Sequence, residues 1–228
     1  MSIKHVTIGH GIQNFTCASV NATPVAIGAL ANLYDATTLA FSNKTALATA
    51  PSAAAFLPLV LSSNNSLTIP GLGTFPHIGQ HFFTAAIVPT FVFPDLGEML
   101  SGKTLATINA PDGSNPGPSG TGATTWLDLG DKGGSMGLSG VYRVLTAGGL
   151  PHKTCQGQNG SFSIPYAATY WFLDLTNTTA NTQTTGLPTS SSSATPRPTL
   201  GVSASPRSYA PRTALVVLII GGLAVLTM

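Results

Sequence analysis

Along most of the chain, hydrophobic residues recur at period two, so the expected elements are strands. Val6 and Ile8 alternate with polar neighbours, and Val25, Ile27 and Ala29 repeat the spacing, which reads as β-structure from residue 4 to residue 34. Leu33-Tyr34-Asp35 then reads as a strand end running into a turn at Ala36-Thr37-Thr38. Beyond Gly71, short apolar runs broken by Gly, Pro and Asn give candidate strands at 80–88, 90–93, 103–109, 124–129, 140–147 and 162–175. In the last of these, Tyr166, Ala168, Tyr170 and Phe172 share one face, and Ala167, Thr169, Trp171 and Leu173 share the other. Both faces are largely apolar, the pattern of a central strand covered on each side. One stretch suggests a helix, 52–61, with Ser52 as its cap and Pro58 as an interruption. The run from Pro111 to Gly122 is a loop on composition. The expected class is all-β: a β-sandwich or barrel-like single domain over 1–175 with one short helix.

The pattern changes after residue 175. Residues 176–212 are rich in Thr, Ser and Pro and bury too little apolar surface to fold, so they read as an extended stalk suited to O-glycosylation. Residues 213–228 carry no charge and would span about 24 Å as a helix, short of the ~30 Å hydrocarbon core. Ser203, Ala204 and Ser205, a polar spacer and that apolar tail together match a GPI-anchor signal, with those three residues as attachment candidates. A short tail-anchor helix is the alternative.

Composition sharpens the location. Charged residues are 7% of the chain, against about 25% in a typical soluble domain. Of 9 Lys and Arg, Arg197, Arg207 and Arg212 lie in the stalk, leaving 9 − 3 = 6 against 7 Asp and Glu. The folded region is near neutral, with no basic stripe for nucleic acid. Asn14, Asn21, Asn43, Asn64, Asn159 and Asn177 each open an Asn-x-Ser/Thr sequon. Asn43, Asn64, Asn159 and Asn177 are the better acceptors, because Pro24 follows the Asn21 sequon and Asn14 lies close to Cys17. Cys17 and Cys155 are the only cysteines, and in a chain marked for secretion they are expected to pair. Met1-Ser2-Ile3-Lys4-His5 has no apolar leader, so the expectation is that the natural start lies upstream.

Candidate chemistry is sparse. Gly133-Gly134-Ser135-Met136-Gly137 matches the G-x-S-x-G nucleophile elbow, but a strand follows it where a helix is needed, so a glycine turn is the better reading. Gly9-His10-Gly11-Ile12-Gln13-Asn14 lacks the third glycine of a dinucleotide fingerprint and opens a strand. Arg143 is the only arginine of the folded region, so the paired forks typical of dicarboxylate recognition are missing. His77 and His81, with Asp95 and Glu98, are the conceivable metal set; structural histidines are favoured, and no metal or cofactor is assigned. His10, His81, Trp126, Asp128, Tyr142 and Arg143 form the candidate ligand site. A cofactor-binding enzyme would gather His10, His81, Asp128 and Arg143 in a deep pocket, whereas a binding module would expose Trp126 or Tyr142 on a flatter face.

With these residues in view, the chain resembles the domain-of-unknown-function 3455 family of secreted fungal and bacterial proteins. The resemblance rests on the run from Gly9 to Cys17, Gly28 to Thr37, Gly79-Gln80-His81-Phe82-Phe83, Trp126-Leu127-Asp128-Leu129, Val141 to Gly149 and Tyr166 to Phe172. It implies a secreted, mostly β domain with the two cysteines paired. Such proteins often carry a malate dehydrogenase label, which no motif here supports, and the family supplies no agreed catalytic residue. The expected function is therefore that of a GPI-anchored, glycosylated cell-surface or cell-wall protein with a structural or ligand-binding role. It would be held to the membrane by the anchor or the tail, with a cell-wall glycan or small molecule as ligand and no nucleic acid. A secreted enzyme of unassigned chemistry is the alternative. The purified protein should show no saturable NAD binding by calorimetry and no malate oxidation; micromolar NAD binding would overturn this reading.

Overall fold

The computed structural model describes residues 2–63, 65–84, 87–158 and 160–174. The stalk and tail lie outside these residues, as do Asn64, Asn159, Asn177, Ser203, Ala204 and Ser205. The strands are β1 (Ile3–Cys17), β2 (Val25–Asp35), β3 (Leu67–Ile69), β4 (Gly73–Phe75), β5 (His77–Phe83), β6 (Pro89–Phe93), β7 (Glu98–Ile108), β8 (Trp126–Asp131), β9 (Leu138–Gly148) and β10 (Gly160–Asp174). Eight of them close into an antiparallel barrel in the order β1-β10-β9-β8-β7-β6-β5-β2, while β3 and β4 form a separate hairpin. The sandwich-or-barrel expectation thus resolves as a barrel, which leaves no free sheet edge.

The single helix expected at 52–61 is displaced and becomes two, α1 (Thr37–Ser42) and α2 (Lys44–Ala54). Caps explain the shift. The Asp35 carboxylate accepts from Thr37 N at 2.9 Å as α1 begins, and Asn43 Oδ1 accepts from Ala46 N at 3.0 Å to start α2. Ser52, the expected cap, lies inside α2, and Pro51 is accommodated there on its buried face. The turn expected at 36–38 is accordingly the entry to α1.

Alternation along the strands then sorts their buried side chains into two cores. The inner core fills the barrel with Leu33, Phe91, Phe93, Leu100, Leu129, Val141, Tyr170 and Phe172 among others. Its rings meet edge-to-face, Phe93 with Phe172 at 4.9 Å and Phe91 with Phe172 at 5.3 Å between centroids. The outer core lies between the wall and a covering layer, with Val6, Ile8, Tyr34 and Ala167 packed against Leu47, Ala50 and Ala54 of α2 and Ile69 and Phe75 of the hairpin. β10 pairs with both β1 and β9 and is buried on both faces, as its sequence indicated. Gly9 and Gly11 face inward from β1, where a Cβ would strike the Tyr170 ring at the first position and Ala31 at the second. Glycine at 9 leaves room for the Tyr170 ring, and glycine at 11 for the close approach of β2 at Leu30 and Ala31.

Cys17 and Cys155 are bonded, with Cα atoms 5.7 Å apart and 138 residues of separation. The bridge fastens the end of β1 to the 149–159 loop, and Cys155 N also donates to Ala22 O at 2.8 Å. In the chain-entropy description, such a closure stabilises by up to about 5 kcal/mol. The double variant Cys17→Ser/Cys155→Ser should unfold at a lower denaturant midpoint, losing about 2–5 kcal/mol. An unchanged midpoint would contradict this.

Candidate functional site

The six candidate ligand residues do not converge, because the barrel wall divides them. On β8 and β9, Leu127 stands opposite Arg143, and Asp128 opposite Tyr142. Leu127 packs on the inner core, so Arg143 points inward, and Asp128 and Tyr142 point outward. His81 is inside, stacked on Phe91 at 4.1 Å. His10 stands opposite Asn32 and Ala167 on the outer face, while Trp126 shares the parity of Asp128. Trp126 and Tyr142 are buried, so neither the convergent pocket nor the exposed aromatic face expected from sequence is formed.

The outer polar row is structural in its bonding. Asn32 donates from Nδ2 to Val60 O at 3.0 Å and Ser63 O at 3.2 Å, fastening the 57–63 segment over the wall. Gln80 Nε2 donates to Asn32 Oδ1 at 3.4 Å. His10 Nε2 beside them has no partner among the described residues, and burial lowers the imidazole pKa to about 4. His77 faces this layer too, edge-on to Tyr34, because a register shift between Leu33 and Tyr34 moves it off the face of His81. The conceivable metal set is thereby split, and no group of three or more His, Cys, Asp or Glu side chains gathers among the described residues. Asn43 is exposed, with Oδ1 engaged as the α2 cap and Nδ2, the atom that carries a glycan, outside that bond. Asn14 is half-buried rather than enclosed by the disulfide, accepts from Ser163 Oγ at 2.8 Å, and borders an open groove of about 190 Å³ with Ile27 and Phe162.

The two ends of the barrel differ in charge. At the end where β1 begins, Glu98 accepts from Lys4 Nζ and pairs with His5 Nε2, each at 2.7 Å, and Lys4 also donates to Gly137 O. This end is neutralised internally. Ser135 of the glycine turn nearby donates to Asp131 Oδ1 at 2.6 Å and accepts from Ser101 N, so its hydroxyl fastens a turn and no nucleophile elbow forms.

At the other end, Arg143 forms no ion pair among the described residues. Arg143 donates from Nε to Thr125 O at 3.2 Å and from Nη2 to Thr125 O at 2.9 Å, with Thr124 Oγ1 at 3.4 Å. Tyr166 and Tyr170 hydroxyls bond each other at 2.8 Å. Both phenols are pushed up by burial, against which the nearby Arg143 charge acts to lower them. His81 Nδ1 lies 2.9 Å from Thr90 O, which can only accept, so the proton sits on Nδ1. Burial, with a smaller contribution from Arg143, lowers the His81 pKa to about 4 and leaves the ring neutral at pH 7. Gln13 and Thr124 both flank Gly149 at this end. The Gln13 amide lies near enough to Tyr166 to bias the phenol, but Nε2 has no acceptor at hydrogen-bonding geometry. Tyr166, Tyr170 and Gln13 were absent from the sequence-derived site. The shared face of Tyr166 and Tyr170 was visible in the alternation of β10, but their meeting with Arg143 depends on closure of the barrel.

Compared with known proteins, residues 1–174 match the family model described as "Protein of unknown function (DUF3455)". No curated protein and no solved structure matches the chain.

The buried histidines set a pH dependence. For His10 and His81 the folded pKa of about 4 lies below the ordinary 6.5, so the unfolded chain binds more protons between these values. Their contribution is complete above pH 6.5 and is withdrawn as pH falls toward 4, by up to about 3 kcal/mol for each histidine. Denaturant unfolding at pH 7, 5.5 and 4.5 should show this loss, and His81→Gln should reduce its steepness. A stability flat over that range would refute the assignment.

Proposed function

From a chain that belongs to the DUF3455 family, whose description names no activity, we propose that the barrel is an extracellular domain displayed at the cell surface, acting as a structural or ligand-binding module. The Cys17–Cys155 disulfide carries this reading. Disulfides persist in oxidising compartments and are rare in the cytosol. Three further features support it. Asn43 is an exposed sequon whose modified atom is outside the helix-capping bond. The chain is only 7% charged, a composition that attached glycans would keep soluble. Its apolar, charge-free C-terminal run follows small residues and a polar spacer, which suits GPI attachment at Ser203, Ala204 or Ser205.

A ligand-binding role is supported by the Arg143 end of the barrel, where a buried guanidinium has no ion-pair partner among the described residues. The enzyme alternative is less favoured. The residues that would have to act together, His10 and Asp128 with His81 and Arg143, stand on opposite faces of one wall. No second reading is advanced.

Expression in a host that secretes and anchors such chains tests this. Treatment of intact cells with phosphatidylinositol-specific phospholipase C should release the protein, and peptide N-glycosidase F should increase its mobility. Protein that stays cell-bound, unshifted and with both thiols free would overturn the surface reading.

A further inference from the structure

We propose that the barrel end formed by Arg143, Gln13, Tyr166 and Tyr170 binds a small organic monocarboxylate, with the Arg143 guanidinium as its counter-ion. This deepens the ligand-binding half of the function proposed above, and surface display does not depend on it.

The argument starts from charge. Arg143 is 6% exposed and its guanidinium is permanently protonated. Buried cations are ordinarily paired, because removing a charge from water without a partner costs several kcal/mol. The ion pairs among the described residues, Lys4–Glu98, Lys4–Asp174 and His5–Glu98, lie at the opposite end of the barrel. The nearest carboxylate along the neighbouring strand, Asp128, projects from the other face of the wall. The hydrogen bonds of Arg143 to Thr124 and Thr125 use Nε and Nη2, and the guanidinium also hydrogen-bonds the Tyr170 phenol, so its partners are neutral oxygens.

A second observation is independent of that charge. Gln13 is 8% exposed, and its Nε2 donor lacks an acceptor among the described residues. An unmet buried donor is costly and unusual in a native fold. Guanidinium, carboxamide and phenol hydroxyls together make a donor set suited to a planar carboxylate. Its charge is +1, since His81 is neutral, which matches a monoanion better than a phosphate or a dicarboxylate.

The backbone at this end is unusual as well. Leu145, two residues beyond Arg143, has φ 52°, a left-handed conformation that a branched side chain rarely adopts. It falls at the register shift between β9 and β10 that brings Thr146 round to donate to Thr124 O at 2.6 Å. The 109–125 loop crosses this end and is tied by backbone bonds from Gly148 N to Asn115 O, Thr124 N to Gly148 O and Leu150 N to Gly122 O, and by the Arg143 and Thr146 side chains at Thr124 and Thr125.

The probes are sodium acetate and propionate, titrated at constant ionic strength against full-length protein, with sodium chloride and acetamide as controls. Melting temperature should rise saturably with acetate or propionate, as ligand linkage requires, and should not respond to acetamide. Gln13→Glu supplies an internal carboxylate. It should raise the melting temperature without ligand and weaken acetate binding at least about tenfold. Tyr166→Phe, which keeps the ring, should weaken acetate several-fold and serves if Gln13→Glu does not fold. An equal response to chloride overturns the carboxylate assignment. The site itself is overturned by no saturable response to any anion, or by acetate binding unchanged in the variants. Phospholipase release is indifferent to all these outcomes, so the two proposals fail separately.

Discussion

Closure of the wall is the constraint from which the other features follow. Once β1 pairs with β10 on one side and β2 on the other, a side chain on these strands has two destinations, the interior or the covering layer. Both are dry for β1, β9 and β10. Long runs of those strands therefore exclude water on each face, and polar residues caught in them must find partners or remain unmet. Thr169 shows the satisfied case, donating to Val144 O at 3.1 Å, and Gln13 the unmet one. The glycines at 9 and 11 belong to the same constraint, the first leaving room for the Tyr170 ring and the second for the β2 backbone.

The consequences for chemistry are as strong as those for packing. A wall one residue thick separates neighbours in sequence as completely as distance would. Tyr142 and Arg143 are adjacent, yet one meets the outer layer and the other the interior. Residues far apart in the chain, such as Gln13, Thr124 and Tyr166, meet around Gly149 instead. Electrostatics then distinguishes the two ends. Glu98 neutralises the end of Lys4 and His5, while Arg143 is held by carbonyl and hydroxyl oxygens among the described residues. A hydrogen-bonded carbonyl carries only part of the charge a carboxylate would supply. Functional interest therefore falls on the Arg143 end.

Low charge, disulfide and histidine burial also fit together. With few ion pairs, the domain rests on its two apolar cores, the barrel's hydrogen bonds and the long-range Cys17–Cys155 link. His10 and His81 are held neutral by burial, His81 with a hydrogen bond to Thr90 O, so the burial that makes the fold tight also ties it to near-neutral conditions.

Periodicity was enough to establish an all-β chain, because a strand's two-residue repeat is a local property that needs no partner. It also marked β10 as a strand buried on both faces, and the two lone cysteines as partners, since neither inference needs more than the residues themselves. The helices were placed late because Asp35, which accepts from Thr37 N, and Asn43, which caps α2, were legible only as a strand end and a sequon until these contacts formed. Which way the sheet closes was not legible, because barrel and sandwich share one local pattern and differ only in which strands meet. The candidate site failed to assemble for the same reason. Arg143 and His81 stand out by residue type, but parity relative to the core, set by register shifts at Leu33/Tyr34 and along β9, decided who stands beside them. Composition and alternation determine what a strand is made of, and only the closed register determines which of its faces becomes the interior.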